Sequence, residues 1–162
     1  MSRKRNLIIL VCTVVVWLAI DKLAKTAFKD VAPGTVTGGP YFGIFQFESV
    51  HNTGAAWGIF ENGTFILGGF SLLVCILIIL YIFVFAPSTP PVQTFGLSLV
   101  VAGGIGNAID RFAYGYVIDF IDPVFIDFPV FNIADIGVTC GVVIFLVALI
   151  WDTLRGGRKT DA

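Results

Sequence analysis

Asp135 occupies the most demanding position of any acid in this sequence. It lies near the start of an apolar run, Ile133 to Trp151, that is long enough to span a membrane. A carboxylate at membrane depth costs about 2.5–3.5 kcal/mol on translocon scales, so it needs a partner or a chemical task. Asn132 precedes it by three residues, which fits a helix capping box, and a helix N-terminus favours a carboxylate. A cap and a catalytic role are compatible, and the spacing alone favours neither.

A partner for Asp135 can come from three acids that lie between the third apolar run and Asn132, namely Asp119, Asp122 and Asp127. Asp122 is followed by Pro123, which predicts a turn. Asp119 lies within the apolar stretch 116–121, where an unpaired carboxylate would be costly. Asp119 is therefore preferred by a small margin, although periodicity leaves the choice among the three open.

Two carboxyl groups held close together cannot both ionise easily, so they share one proton. One can then act as general base on a water molecule and the other as general acid toward a peptide carbonyl and its leaving amine. This chemistry requires no metal and no nucleophilic serine. We therefore expect no cofactor and no metal ligands.

Other kinds of site find little support. His51 is the single histidine, which excludes a His-rich metal centre and leaves a Ser-His-Asp mechanism dependent on that residue alone. Cys12, Cys75 and Cys140 each lie inside an apolar run, without the spacing of a metal site or a disulfide framework. We interpret the cysteines as small hydrophobic residues.

A second group of polar residues closes the third apolar run. Asn107, Asp110 and Arg111 stand at i, i+3 and i+4, so they share one helix face. The simple interpretation is a satisfied polar cluster in which Arg111 pairs with an acid and orients its neighbours, because arginine keeps its proton in proteins. Asp21 and Lys25 are one helical turn apart near the end of the first run, so they can pair while the lysine stem extends toward the surface.

The elements that position these residues are membrane spans. The chain has 162 residues, of which 57% are hydrophobic and 13% charged, with a mean hydropathy of +0.93. Soluble domains carry about 25% charged residues, so water is not the main solvent. A net charge of −1 gives no basic footprint for a nucleic acid. We expect an all-α membrane protein of one domain, residues 1–162, with spans at about 7–28, 64–86, 94–111 and 133–152.

The basic residues predict the orientation of these spans. Arg3, Lys4 and Arg5 precede the first span, and a second group follows the fourth, at Arg155, Arg158 and Lys159. Four spans place both groups on one side, which the positive-inside rule makes cytoplasmic. Lys22, Lys25 and Lys29 on the outer side and the uncharged inner loop 87–91 weaken this prediction. No small-x-small cleavage pattern follows the first run, so we predict a retained span and not a removed signal peptide.

With this topology the polar clusters meet at the outer ends of the spans. The outer segment, residues 31–61, lies between spans one and two; it is rich in glycine and aromatic residues and predicts short strands at the bilayer interface. This segment can be a membrane-anchoring flap or a platform that holds an extended substrate. The sequence alone favours the flap.

Five stretches together resemble the lipoprotein signal peptidases, also called signal peptidase II. They keep that family's order along the chain from residue 21 to residue 135. Each is weak evidence alone. The stretches are Asp21-Lys22-Leu23-Ala24-Lys25, Val50-His51-Asn52-Thr53-Gly54-Ala55-Ala56-Trp57, residues 103–111, Val117-Ile118-Asp119-Phe120-Ile121 and Phe131-Asn132-Ile133-Ala134-Asp135.

The resemblance implies a four-span aspartic endopeptidase of the bacterial inner membrane, with a small extracytoplasmic β-cradle between spans one and two and its active site at the periplasmic face. It implies cleavage of diacylglyceryl-modified prolipoproteins just before the lipidated cysteine. We expect a monomer that contacts membrane lipids and needs no cofactor. Asp119 and Asp135 match the family's catalytic pair. The matching supporting residues are Asp21, Lys25, Asn52, Gly54, Asn107, Asp110, Arg111, Asn132 and Ala134. Trp57 stands where the family usually has phenylalanine.

Two hypotheses from other classes remain. An ion- or proton-coupled carrier would use Asp21 and Asp135 as intramembrane sites, but such proteins more often place acids near mid-span and contain internal repeats. A purely structural subunit would use the polar clusters only as caps and interhelical hydrogen bonds.

Overall fold

A computed structural model describes residues 2–55 and 59–157. The described residues form four long helices and three short strands. Trp57, the last residue of the second of the five stretches, lies outside the described residues, as do Arg158 and Lys159 of the second basic group. The elements are α1 Ser2–Thr26, β1 Val36–Tyr41, β2 Phe45–Asn52, α2 Thr64–Leu80 with a π-helical turn Tyr81–Phe85, α3 Pro91–Tyr114, β3 Val117–Pro123 and α4 Ile133–Gly157.

All four helices are long and apolar enough to cross a membrane. The helix α3 is central, because 67% of its most apolar stretch is buried, against 17% or less in each of the others. Glycines let neighbours approach it closely: a Cβ on Gly96 would lie 2.7 Å from the carbonyl oxygen of Gly141 on α4. The other three helices expose leucine, isoleucine and valine side chains around this centre, as lipid-facing helices do.

The N-terminal end of α1 contacts the uncharged loop 87–91. The helix begins at Ser2, before the predicted start near residue 7, and therefore includes the basic residues Arg3, Lys4 and Arg5. Arg5 Nη2 and Asn6 Nδ2 donate to the carbonyl oxygen of Thr89 at 3.1 and 3.3 Å. The loop thus receives polar partners from α1.

The strands form one antiparallel sheet in the order β1-β2-β3. The strands β1 and β2 lie in the predicted outer segment between α1 and α2. The third strand comes from the segment between α3 and α4 and pairs with β2, so the cradle is larger than the sequence predicted. The turn predicted at Asp122-Pro123 is wrong, because both residues lie in β3 and Gln46 Nε2 donates to Asp122 Oδ2 at 2.8 Å.

The sheet packs on the C-terminal end of α1 through aromatic rings. Phe28, just beyond α1, stacks on Phe120 of β3 with ring centroids 4.4 Å apart, and Phe47 of β2 lies 5.7 Å from Phe28. Successive side chains of a strand point to opposite faces. Asp119 therefore faces away from this aromatic cluster, toward the helices.

Candidate active site

Asp119 is placed by the middle of β3. Its backbone pairs with Val50 of β2, and its side chain is 2% exposed. Asn52 Nδ2 donates to its Oδ2 at 2.8 Å, and Asn132 Nδ2 donates to its Oδ1 at 2.6 Å. Both oxygens of this buried carboxyl are thereby oriented by amide groups from two different elements.

Asp135 is placed by the first turn of α4. The N–H of Asn132 donates to its Oδ2 at 3.1 Å, and Asn107 Nδ2 on α3 donates to its Oδ1 at 2.7 Å. The N–H of Ile136 donates to the carbonyl oxygen of Asn132, so Asn132 is the N-cap of α4. The predicted capping box is present, and it contains one of the two candidate catalytic acids.

The two carboxyl groups share one cavity of about 660 Å³. Its wall comes from the sheet, from α2, α3 and α4 and from residues 128–131, and Asp119, Asp135, Asn107 and Arg111 supply its polar part. We call it the bundle cavity. Burial and, second, the negative charge of Asp135 raise the pKa of Asp119 to about 7. The pair therefore holds a proton near neutral pH, as a shared-proton dyad requires.

Lys25 lies at the centre of the supporting polar cluster. It is 1% exposed, so it does not extend to the surface as the sequence predicted. Its Nζ forms ion pairs with Asp21 at 3.0 Å and Asp110 at 2.8 Å, and it donates to Asn107 Oδ1 at 3.1 Å. These three oxygen partners compensate for the hydration that the buried ammonium group loses. Lys25 thereby fixes the amide that holds Asp135.

Asp21 joins α1 to the start of α4. Its Oδ1 accepts a hydrogen bond from the N–H of Ala134 at 2.9 Å. Ala134 is fully buried, and its methyl group would lie 3.4 Å from a Cβ on Gly106 of α3. The small side chain at position 134 thus allows three helices to meet one residue before Asp135.

Arg111 contacts the segment between β2 and α2. Its Nη2 donates to the carbonyl oxygen of Gly54 at 3.1 Å, while Asp110 pairs with Lys25. The predicted pairing of Arg111 with an acid is wrong within the described residues, where its hydrogen bond goes to a backbone carbonyl. Gly54 N in turn donates to Asn52 Oδ1 at 3.0 Å. A chain of contacts therefore runs from α3 through Gly54 and Asn52 to Asp119.

The remaining acids of this region lie away from the pair. Asp122 bonds Gln46 at the far end of β3, and Asp127 lies exposed in the segment before α4. His51 stacks on Tyr116 with ring centroids 3.8 Å apart, and its Nε2 has no hydrogen-bond partner among the described residues. Burial lowers the pKa of His51, so the ring is neutral at pH 7. Within the part of the chain that the structure describes, no hydrogen bond joins His51 to an aspartate, as a Ser-His-Asp mechanism would require.

Trp17 is a supporting residue that the sequence analysis missed. Its indole N–H donates to the carbonyl oxygen of Ile133 at 3.1 Å, and Gly137 provides the space for the ring. Trp17, Asp21 and Lys25 are spaced four residues apart, so they share one face of α1. That spacing was the available signal, but an interfacial tryptophan is also common without any role at a site.

The arrangement suits acid–base chemistry on a bound water. Among residues 2–55 and 59–157, no group of three or more His, Cys, Asp or Glu side chains is arranged to hold a metal ion. The two acids open onto a largely apolar cavity between helices, and asparagine amides orient both of them. Such a site can hydrolyse a bond in a substrate that arrives from the hydrocarbon region.

Comparison with known proteins gives one consistent result. A family model described as signal peptidase (SPase) II matches residues 13–151. A lipoprotein signal peptidase of Moorella thermoacetica is 38% identical over 146 residues, covering 88% of this chain and 93% of that protein. One from Gloeothece citriformis is 37% identical over 138 residues, covering 83% and 84%. A solved bacterial membrane enzyme superimposes with a TM-score of 0.79 at 30% identity, over 89% of this chain and 88% of its own.

Proposed function

This chain belongs to the signal peptidase II family, and we propose that it is an aspartic endopeptidase in which Asp119 and Asp135 activate the attacking water. Family membership supports a membrane protease that removes signal peptides from prolipoproteins. The observation that carries the aspartic mechanism is the bridge through Asn132, whose side-chain amide contacts Asp119 and whose backbone N–H contacts Asp135.

The two acids have different surroundings, which suggests different roles. Asp135 lies in the first turn of α4 and accepts hydrogen bonds from the backbone N–H of Asn132 and from Asn107 Nδ2. Asp119 is more deeply buried, and its pKa of about 7 keeps it protonated below neutral pH. In the proposal Asp135 is the general base and Asp119 the general acid.

Hydrolysis then follows in two steps, each with two proton transfers. Asp135 takes a proton from the water, whose oxygen attacks the carbonyl carbon of the peptide bond before the cysteine, while Asp119 protonates the carbonyl oxygen. Collapse of the tetrahedral intermediate breaks the C–N bond, the proton held by Asp135 goes to the leaving nitrogen, and a hydroxyl group of the intermediate returns a proton to Asp119. The signal peptide gains a carboxyl group and the cysteine a free amino group.

The substrate class follows from the depth of the pair. The bundle cavity is lined by side chains of α2, α3 and α4, so a signal peptide and the acyl chains of a diacylglyceryl cysteine can both reach it from hydrocarbon. We propose cleavage directly before the lipidated cysteine. The carrier hypothesis is disfavoured because Asp21, Asp110 and Asp135 lie within two turns of an end of their helices, away from mid-span.

The orientation is part of the proposal. Arg3, Lys4 and Arg5 stand at the end of α1 remote from the acids, so the positive-inside rule puts the candidate site at the outer face. A reporter active only in the periplasm, fused after the C-terminus, tests this. We expect no reporter activity there, and activity when the same reporter is inserted between Val36 and Tyr41.

The catalytic assignment is tested by cleavage of a diacylglyceryl-modified precursor, followed as a gel shift. Asp119→Asn and Asp135→Asn are each expected to insert and fold but to lose activity by about 10²–10⁴-fold, the usual contribution of an acid–base group. Asp122→Asn, in the same strand as Asp119, is the matched control and is expected to stay active. Near-normal cleavage by either of the first two variants would overturn the assignment.

A further inference from the structure

A second cavity, of about 430 Å³, adjoins the candidate site on the side away from the helices. Its described lining comes from residues 50–55, Glu61, Asp119 and residues 127–130, all in strands or loops. We call it the outer cavity. Asn52, Ala55, Asp119 and residues 128–130 line both cavities. Asp119 therefore stands between a cavity that faces the helices and one that does not.

We propose that the outer cavity binds the polypeptide that follows the lipidated cysteine, and that Glu61 and Asp127 select against acidic side chains there. This inference rests on the proposed function, because it assigns a place to one part of the proposed substrate. It adds a binding site and two specificity-determining residues to that function.

Two parts of the substrate next to the scissile bond require different surroundings. At the cysteine, the side chain carries acyl chains that stay in hydrocarbon, whereas the backbone continues into a polar polypeptide that must reach water. The bundle cavity suits the first of these and cannot take the second without burying unpaired backbone groups. The outer cavity lies within the usual range of ligand pockets, about 300–1,000 Å³, and has room for a short peptide segment.

The charge of the outer cavity is one-sided. Its ionisable lining consists of Glu61, Asp119 and Asp127, with His51 held neutral, and no lysine or arginine is among the described residues that line it. Glu61 and Asp127 are both exposed, so their side chains can face any segment bound there. An acidic substrate residue would meet like charges, and a lysine would meet opposite ones. The amino group that hydrolysis creates on the cysteine would be favoured for the same reason.

The test uses three lipidated precursors that differ only at the second and third residues after the cysteine, carrying Asp, Ser or Lys. We expect the kcat/KM of the unmodified enzyme to rise from Asp to Ser to Lys, by about two- to fivefold per step, the range for partly exposed charge pairs. Raising the salt concentration to 1 M is expected to reduce the differences in kcat/KM among the three precursors, because the screening length falls to about 3 Å.

Paired variants locate the effect. The double variant Glu61→Gln, Asp127→Asn is expected to lose most of the difference in kcat/KM between the Asp and Lys precursors. The control Asp30→Asn, Glu48→Gln removes two acids that do not line the outer cavity and is expected to keep the difference.

Three outcomes decide between the two proposals. If the Ser precursor is not cleaved at all, the proposed function fails. If it is cleaved but the three precursors have equal kcat/KM, the function stands and the assignment of the outer cavity is overturned. The same conclusion follows if the control variant reduces the difference in kcat/KM between precursors as much as the Glu61, Asp127 variant does.

Discussion

The backbone N–H of Asn132 donates to Oδ2 of Asp135 at 3.1 Å, and the N–H of Asp135 donates to Oδ1 of Asn132 at 3.0 Å. This reciprocal pair is the capping box of α4. It uses the amide oxygen of Asn132 and leaves the amide nitrogen for Asp119, 2.6 Å away. One asparagine therefore caps the helix and positions both acids, so the structural and catalytic interpretations of this spacing hold together.

Two substitutions at Asn132 separate these roles. Serine is a good N-cap but has no amide nitrogen, whereas alanine lacks both groups, and loss of an N-cap costs about 0.5–2 kcal/mol. We expect Asn132→Ser to keep its unfolding temperature within a few degrees and to lose at least about tenfold in kcat, while Asn132→Ala loses stability as well. Thermal unfolding in detergent and the gel-shift assay measure the two effects. A fully active Asn132→Ser enzyme would show that the contact with Asp119 is dispensable.

The pH dependence of cleavage follows from the pKa of Asp119, raised to about 7 by burial and the nearby charge of Asp135. Below that pH the folded pair holds the proton that the general acid donates, and as the pH rises through about 7 the proton is lost. We expect kcat/KM to fall by up to about tenfold per pH unit above this point. The profile is measured between pH 5.5 and 9 with the Ser precursor, and activity should return when the pH is lowered again. A constant rate from pH 7 to 9 would contradict a protonated Asp119.

Removing the amide of Asn52 should move this profile in a known direction. Asn52 Nδ2 donates to Asp119 Oδ2, and a hydrogen bond to a carboxylate favours its ionised form. Asn52→Ala therefore raises the pKa of Asp119 further, and the fall in kcat/KM is expected to begin at higher pH than in the unmodified enzyme. Thr53→Ala changes the neighbouring side chain without touching this bond, and its profile should stay in place.

Lys25 is expected to be the most sensitive position for stability. Lys25→Met leaves Asp21 and Asp110 buried without their cation, and breaking a buried ion pair in this way typically costs about 3–5 kcal/mol. Lys22→Met is the control, because Lys22 is exposed and its ammonium contacts the hydroxyl and the ring of Tyr114, with no ion pair among the described residues. Adding Asp110→Asn to Lys25→Met should restore part of the lost unfolding temperature. If the single Lys25 variant unfolds like the Lys22 variant, the buried cluster contributes little to stability.

The sequence predicted the features that depend on local spacing. The Asp21–Lys25 pair, the Asn132 cap and the four apolar helices all follow from i, i+3 or i+4 relations or from run length. It could not predict that β3, Val117–Pro123, would join a sheet that begins at Val36, because the pairing of strands distant in the sequence is not encoded in local spacing. For that reason Asp119 remained one of three loop acids, and Asp122 was placed in a turn. The burial of Lys25 was missed because its second carboxylate partner, Asp110, comes from another helix.

The contact of Trp17 with Gly137 provides the last prediction. A Cβ on Gly137 would overlap the indole nitrogen that bonds the carbonyl oxygen of Ile133. Gly137→Ala must therefore displace either the ring or the first turn of α4, and overpacking of this kind typically costs about 1–3 kcal/mol. Because Asp135 lies in that turn, we expect a loss of kcat beyond the loss of stability.

Gly69→Ala is the matched control, since a Cβ there meets nothing within 4 Å and alanine is the better helix former. It is expected to be neutral or slightly stabilising and fully active. Adding Trp17→Phe to Gly137→Ala removes the overlapping atoms, so the double variant should be more stable than the sum of its single effects. Additive effects in thermal unfolding would mean that the ring and the glycine do not constrain each other, and that α1 positions Asp135 through Asp21 alone.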